Sequence, residues 1–384
     1  MSNNFNLYFD NAATSWPKPE TVYRAMDTFL RDQGANPGRA GFRMAVAAEE
    51  VMGETRVLFQ RFFHVSSPKQ IIFTLNCTDA LNMALKGLLV PGDHVITSSL
   101  EHNSVSRPLN RLAEQGVQYC RVKHNAEGLI DPEEIEKLIC PRTKLIVLAH
   151  ASNVLGTLQP IQEIGALARR HGVLFLLDGA QTAGASPLNM QEMNIDILAC
   201  PGHKALLGPP GTGLLVLGGE MEINFWREGG TGSFSEEPFH PIYYPHRLEG
   251  GTPNTVGIAG LKAGVEFLQE KGLDTVRSHE ILLMAKLLAG LREIPGVTIY
   301  GAQQPEERAG LVSFNLAGWQ PQDVAAALDS SFELACRAGL HCAPWTHEAM
   351  GTSPDGAVRF SVGFFNSEDE MDAAVRAISA LAGC

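Results

Sequence analysis

The sequence predicts an α/β protein with a mostly parallel sheet and a smaller C-terminal α+β domain, and three observations carry that expectation. Short apolar runs with the length of buried strands alternate with amphipathic segments between Gln70 and Leu217. Polar clusters recur where the chain should leave those runs. Beyond Gly218 the alternation gives way to a loop-rich stretch from Trp226 to Asn254, after which helices resume with only short strands between them. At 384 residues the chain is long for one core, so a large domain over 16–255 and a small one over 256–384 plus 1–15 are expected.

The elements follow in order. Tyr8–Thr14 reads as a short extended segment, Trp16-Pro-Lys-Pro19 as a turn, and the next residues as a helix to about Asp32. Gly34–Gly41 is a glycine-rich loop before a long amphipathic helix from Met44 to His64. Gln70–Thr74 is a strand. Asn76-Cys-Thr-Asp79 then supplies capping residues for a helix from Ala80 to Leu89, whose amino end could hold a phosphate on free backbone amides. Thr78 either adds a hydroxyl to that cradle or caps its own helix. His94–Thr97 and Lys144–Leu148 are strands, with helices after Asn103 and Pro160. Two further apolar runs lead to Asp178 and to Cys200, and Leu214–Leu217 has the same character. Gly310–Asn315 and Ala357–Ser361 are strands of the smaller domain, which closes on a helix from Ser367.

Composition narrows the function. The net charge of −12, without a Lys/Arg-rich run, disfavours nucleic acid and anionic membranes as partners. No apolar stretch is long enough to span a bilayer and the start lacks a signal peptide, so a cytoplasmic protein is expected. Seven cysteines without dense spacing do not describe a disulfide framework. Cys336, His341, Cys342 and His347 lack the spacing of zinc ligands, so no metal site is expected. Gly208-Pro-Pro-Gly-Thr-Gly213 lacks the Gly-Lys-Ser/Thr ending of an ATPase phosphate loop, because Leu214 and Leu215 follow.

The chemistry centres on Lys204, set between two buried strands and 26 residues after Asp178. An arbitrary lysine would merely snorkel from a loop. Strand ends bring both groups to one crevice of a parallel sheet, however, and an amine with an acidic partner is what pyridoxal 5'-phosphate requires: a Schiff-base lysine and a carboxylate for the ring nitrogen. His102, in Ser98–Ser104, and Asn153, in His150–Gly156, are ordinary loop residues taken singly and site candidates by their shared side of the sheet.

Seven motifs together resemble the class V aminotransferase-like enzymes, and within them the short-loop cysteine desulfurases. They are Tyr8–Thr14, Glu101-His-Asn103, His150-Ala-Ser-Asn153, Asp178-Gly-Ala-Gln181, Gly202-His-Lys204, Glu249–Asn254 and Arg337–Cys342, spread over nearly the whole chain. The resemblance implies the aspartate aminotransferase-like fold type I. It also implies that Lys204 holds pyridoxal 5'-phosphate, Asp178 meets its ring nitrogen, and Asn153 and Gln181 lie about its phenolic oxygen. His102 would stack on the ring and move protons, the Cys77 amide, Thr78 and His203 would bind the phosphate, and Thr252 would reach it from the partner of a homodimer. Arg359, with Asn153 and Arg337 nearby, would take the substrate carboxylate, and Cys342 would accept sulfur from L-cysteine and pass it to an acceptor protein. Cys342 stands 17 residues before Arg359, the spacing that resembles the short-loop branch. A selenocysteine lyase, or another lyase or aminotransferase of the same fold, is the alternative. Pro201 departs from the family, which often has a phosphate-binding serine there; proline offers neither hydroxyl nor amide.

Overall fold

The computed structural model describes residues 7–38, 41–232 and 235–383; Cys384 and the first six residues of the expected small domain lie outside them. The strands are β1 (Leu7–Tyr8), β2 (Ile71–Thr74), β3 (His94–Ser98), β4 (Gln118–Val122), β5 (Thr143–Ala149), β6 (Leu174–Asp178), β7 (Ile197–Pro201), β8 (Gly213–Leu217), β9 (Val297–Tyr300), β10 (Leu311–Leu316), β11 (Leu334–Ala335), β12 (Arg337–Gly339) and β13 (Ala357–Ser361). The α-helices are α1 (Glu20–Thr28), α2 (Arg43–Phe62), α3 (Cys77–Leu88), α4 (Asn103–Ala113), α5 (Pro132–Glu136), α6 (Ile161–His171), α7 (Thr255–Lys271), α8 (Leu273–Arg292), α9 (Pro321–Phe332), α10 (Pro344–Met350) and α11 (Glu368–Ala382).

Seven strands form the main sheet in the order β2-β8-β7-β6-β5-β3-β4. Strands β3 to β7 are parallel to their neighbours in this set, as the crossover helices require. Strand β8 runs antiparallel to both β7 and β2, because the 202–212 connection is a turn and carries no crossover. Both sheet faces are covered. Ile96, Ile146, Leu177 and Leu198 enter one apolar cluster, while Val95, Leu145, Leu176 and Ile197 enter the other. This two-sided burial explains why the strands read as continuous apolar runs instead of alternating ones.

A second, four-stranded antiparallel sheet, β12-β13-β10-β9, has its own core with Phe314, Phe360, Leu287 and Ile378. Strand β1 pairs in parallel with β11, and a bridge joins Asp10 to Ser361, so the amino-terminal segment lies against the C-terminal sheet. Helix α7 packs on α1 and α2, and α8 on α11. No helix or strand occurs among the described residues of 218–254, as the composition predicts. The sequence signals missed β4, β9, β11 and β12. Strand β4 is a partly exposed edge without a continuous apolar run, and β11 and β12 exist only through pairing with distant strands.

Candidate active site

Parallel register brings the chemistry together. Ala149 at the end of β5 is level with Asp178 at the end of β6, and Asp178 is level with Ala199 of β7. The loops after β3, β5, β6 and β7 therefore open at one sheet edge. They surround a cavity of about 170 Å³ lined by Cys77, Thr78, His102, Asn153, Asp178, Gln181, His203 and Lys204, with Pro201 and Ser104 beside them.

Asp178 is only 4% exposed. Its Oδ1 accepts the Ala180 amide at 2.9 Å and the Cys77 thiol at 3.5 Å, which turns the remaining oxygen free for another donor. Burial raises its pKa, against the Ala180 hydrogen bond and the nearby Lys204 ammonium. Lys204 is pushed down to about 8 by burial and by Arg359, so its amine loses its proton more readily than an ordinary lysine does. The two groups thus sit in one cavity with complementary tendencies.

His102 is the N-cap of α4 and accepts the Ser104 amide on Nδ1 at 3.0 Å. An amide can only donate, so Nδ1 carries the lone pair and Nε2 the proton. Burial and the surrounding Lys204, Arg337 and Arg107 hold the ring neutral, with a pKa lowered to about 4. The ring therefore presents a donor on Nε2. Sequence reasoning passed over Ser104, whose buried Oγ lies 2.8 Å from His102 Nδ1 and 2.7 Å from Thr78 Oγ1. Its signal was present, two residues after His102 in the same polar cluster.

The cap of α3 is Asn76, whose side chain accepts the Asp79 amide at 2.9 Å. The hydroxyl of Thr78 is then spared from capping and lines the cavity, beside the first-turn amides that helix geometry leaves without an acceptor. Gly213 lets β8 press against this turn, since a Cβ there would stand 2.6 Å from the Asn76 carbonyl carbon. The glycines near Lys204 thus serve close packing.

Arg359 on β13 is 1% exposed. It donates to Asp10 Oδ1 at 2.7 Å and to the Asn153 carbonyl at 3.0 Å, and its Nε has no partner. Asn153 donates to the His341 carbonyl at 2.6 Å while its Oδ1 is buried and unpartnered. These orphaned polar atoms are open positions for a ligand. Arg337 on β12 is paired in register with Arg359. Cys342 follows β12 and is the exposed cysteine among those described, which are all free. It has φ +59°, its carbonyl accepts the Asn103 amide at 2.7 Å, and it lines a groove with His102 and Thr78.

Thr252 lies elsewhere. It lines a separate cavity of about 360 Å³ with Phe73, Arg56 and Glu249, where Glu249 takes a bidentate ion pair from Arg56 and the Phe73 amide at 2.7 Å. Gln181 donates to the Ala12 carbonyl at 3.3 Å. No group of three or more His, Cys, Asp or Glu side chains suited to a metal occurs among the described residues, and none of their helices is long and apolar enough to cross a membrane.

The residues fit pyridoxal 5'-phosphate on this chemistry: an amine, a buried carboxylate with one free oxygen, a helix amino end with a spare hydroxyl, and a donor imidazole around one cavity. Comparison with known proteins gives the family. The aminotransferase class-V profile matches residues 7–374. A chain of Methanothermobacter thermautotrophicus named "Probable cysteine desulfurase" is 34% identical over 98% of this chain and 95% of its own. The apo structure of a cysteine desulfurase from Thermococcus onnurineus superposes with a TM-score of 0.93 at 33% identity, covering 98% of this chain and 95% of that one. A cysteine desulfurase from Escherichia coli in an S-sulfonic acid form gives 0.87 at 29% identity, covering 98% and 94%.

Proposed function

Since the chain belongs to the aminotransferase class-V family, we propose that it is a pyridoxal 5'-phosphate-dependent cysteine desulfurase, converting L-cysteine to L-alanine with Cys342 receiving the sulfur. The observation that carries the reading is the cavity shared by Lys204, Asp178 and His102 with exposed Cys342 on the adjoining groove. The cofactor supplies an aldehyde for the substrate amine and a ring that withdraws electrons from the α-carbon. The free oxygen of Asp178 would accept a hydrogen bond from the protonated ring nitrogen and so keep the ring electron-withdrawing. The α3 amino end and Thr78, with His203, would hold the phosphate, and Ser104 hydrogen-bonds Thr78 where Pro201 offers no donor.

Arg359 binds the substrate carboxylate through the edge that Asp10 and Asn153 leave open. Lys204, with its lowered pKa, takes the α-proton and later returns one to the product. His102, a donor on Nε2, would stack on the cofactor ring and help to move protons. The Cys342 thiolate attacks the substrate sulfur: an S–S bond forms, the C–S bond breaks, and its electron pair stays with the carbon skeleton, which is protonated to alanine.

Thr252 lines a cavity of its own, and in this proposal it reaches the phosphate of the partner subunit in a homodimer. An exposed persulfide suits a sulfur-acceptor protein, and the six free cysteines among the described residues suit a cytoplasmic setting. The test is alanine formation from cysteine by the purified protein, with mass spectrometry of the Cys342 peptide. The parent should gain one sulfur there. Cys342→Ser should keep the bound cofactor's visible absorbance and make no persulfide; normal desulfuration by this variant would overturn the role of Cys342.

A further inference from the structure

Beyond the pairing of Asp10 with Arg359 and of Ala12 with Gln181, the motif Tyr8–Thr14 and the turn after it have no part in the chemistry above, yet they touch both of its ends. At one end Asp10 pairs with Arg359 at 2.7 Å, and the Ala12 amide donates to Ser361 Oγ at 2.9 Å. At the other end the chain grips the backbone of the reactive turn. The carbonyl of His203 accepts the Ser15 amide at 3.1 Å, Thr14 Oγ1 at 3.1 Å and Lys18 Nζ at 2.6 Å. Ser15 Oγ donates to the Lys204 carbonyl at 2.8 Å and accepts from Lys18 Nζ at 2.7 Å.

Three donors on one carbonyl exceed the two that its lone pairs ordinarily take. They come from a segment more than 180 residues away in sequence. Lys18 is partly buried, its ammonium is directed at neutral oxygens, and burial alone shifts its pKa, down to about 7. Desolvating a cation for neutral acceptors is unfavourable compared with leaving it in water. The arrangement is therefore a poor device for stability and a good one for fixing a backbone position.

We infer that residues 10–18 form a brace between the carboxylate-binding Arg359 and the reactive Lys204, and that Lys18 is the positioning residue at its Lys204 end. This rests on the reading of Lys204 given above. The brace holds the peptide that carries the amine at a fixed distance from the guanidinium, so that a substrate held by its carboxylate has its α-proton aligned with that amine.

The experiment compares the holoenzyme with its Lys18→Met, Lys18→Arg and Ser15→Ala variants. Methionine keeps the length without a donor, and arginine restores donors. Lys18→Met should lower kcat by about tenfold to a hundredfold, the usual cost of a small misplacement, while KM for cysteine stays within about twofold. Amide hydrogen exchange in the peptide spanning 202–207 should speed up by at least about tenfold, and Lys18→Arg should recover most of both effects. Unchanged exchange and kcat in Lys18→Met would overturn the brace, as would an arginine variant no better than methionine. Should Lys18→Met not accumulate as folded protein, Ser15→Ala decides: faster exchange supports the brace and unchanged exchange overturns it. If the parent makes no alanine, the reaction assignment falls, while hydrogen exchange still judges the brace.

Discussion

Arg359→Lys tests the substrate-binding geometry most directly. The guanidinium already spends one nitrogen on Asp10 and one hydrogen of another on the Asn153 carbonyl, so the substrate carboxylate is left with Nε and the free edge. A lysine ammonium keeps the charge and the pairing with Asp10 but lacks the planar fork. The variant therefore loses about one charge-assisted hydrogen bond, roughly 1.5–3 kcal/mol, or about a 10- to 150-fold rise in KM at 1.4 kcal/mol per tenfold. Alanine would be a poorer choice, because it strands the Asp10 carboxylate without its partner. Because Lys204 and Cys342 are untouched, kcat should stay within about threefold of the parent in a steady-state alanine assay. A KM within threefold of the parent would refute the assignment and leave Arg337, level with Arg359 on the next strand, as the carboxylate ligand.

Two further outcomes are expected. Glu101 is fully buried, accepts Ser98 Oγ at 2.6 Å and the Ala149 amide at 3.2 Å on one oxygen, and has its pKa raised to about 8, chiefly by burial. Its folded pKa lies above the unfolded value near 4.3, so it favours the folded state in acid and loses that contribution as pH rises toward 8, by at most about 1.4 kcal/mol per unit. Glu101→Gln should then match the parent in urea unfolding near pH 5 and exceed it by a few kcal/mol at pH 8; a pH-independent difference would show that Glu101 is already ionised when folded. Thr252→Ala should weaken cofactor binding, read by equilibrium dialysis, without moving the Lys204 cavity. A fully monomeric protein that holds cofactor as well as the parent would exclude the shared site.

What the sequence determined by itself was whatever depends on near neighbours. Apolar runs marked every strand of the main sheet except its edge strand β4, the polar residues ending them placed Asp178, Lys204 and His102 at one edge, and the Asn76 and Ser367 caps marked helix starts. Composition around Lys204 was enough to dismiss a phosphate loop. Tertiary structure alone decided the rest, because it depends on pairs far apart in the chain. The antiparallel course of β8 follows from a turn in place of a crossover, and β11 and β12 are strands only beside their partners. Asp10 meets Arg359 across 349 positions, and Lys18 meets the His203 carbonyl across 185. No local pattern encodes such contacts; they arise when two sheets and the first strand close around one cavity, and burial then shifts the pKa values of Lys204, His102 and Glu101.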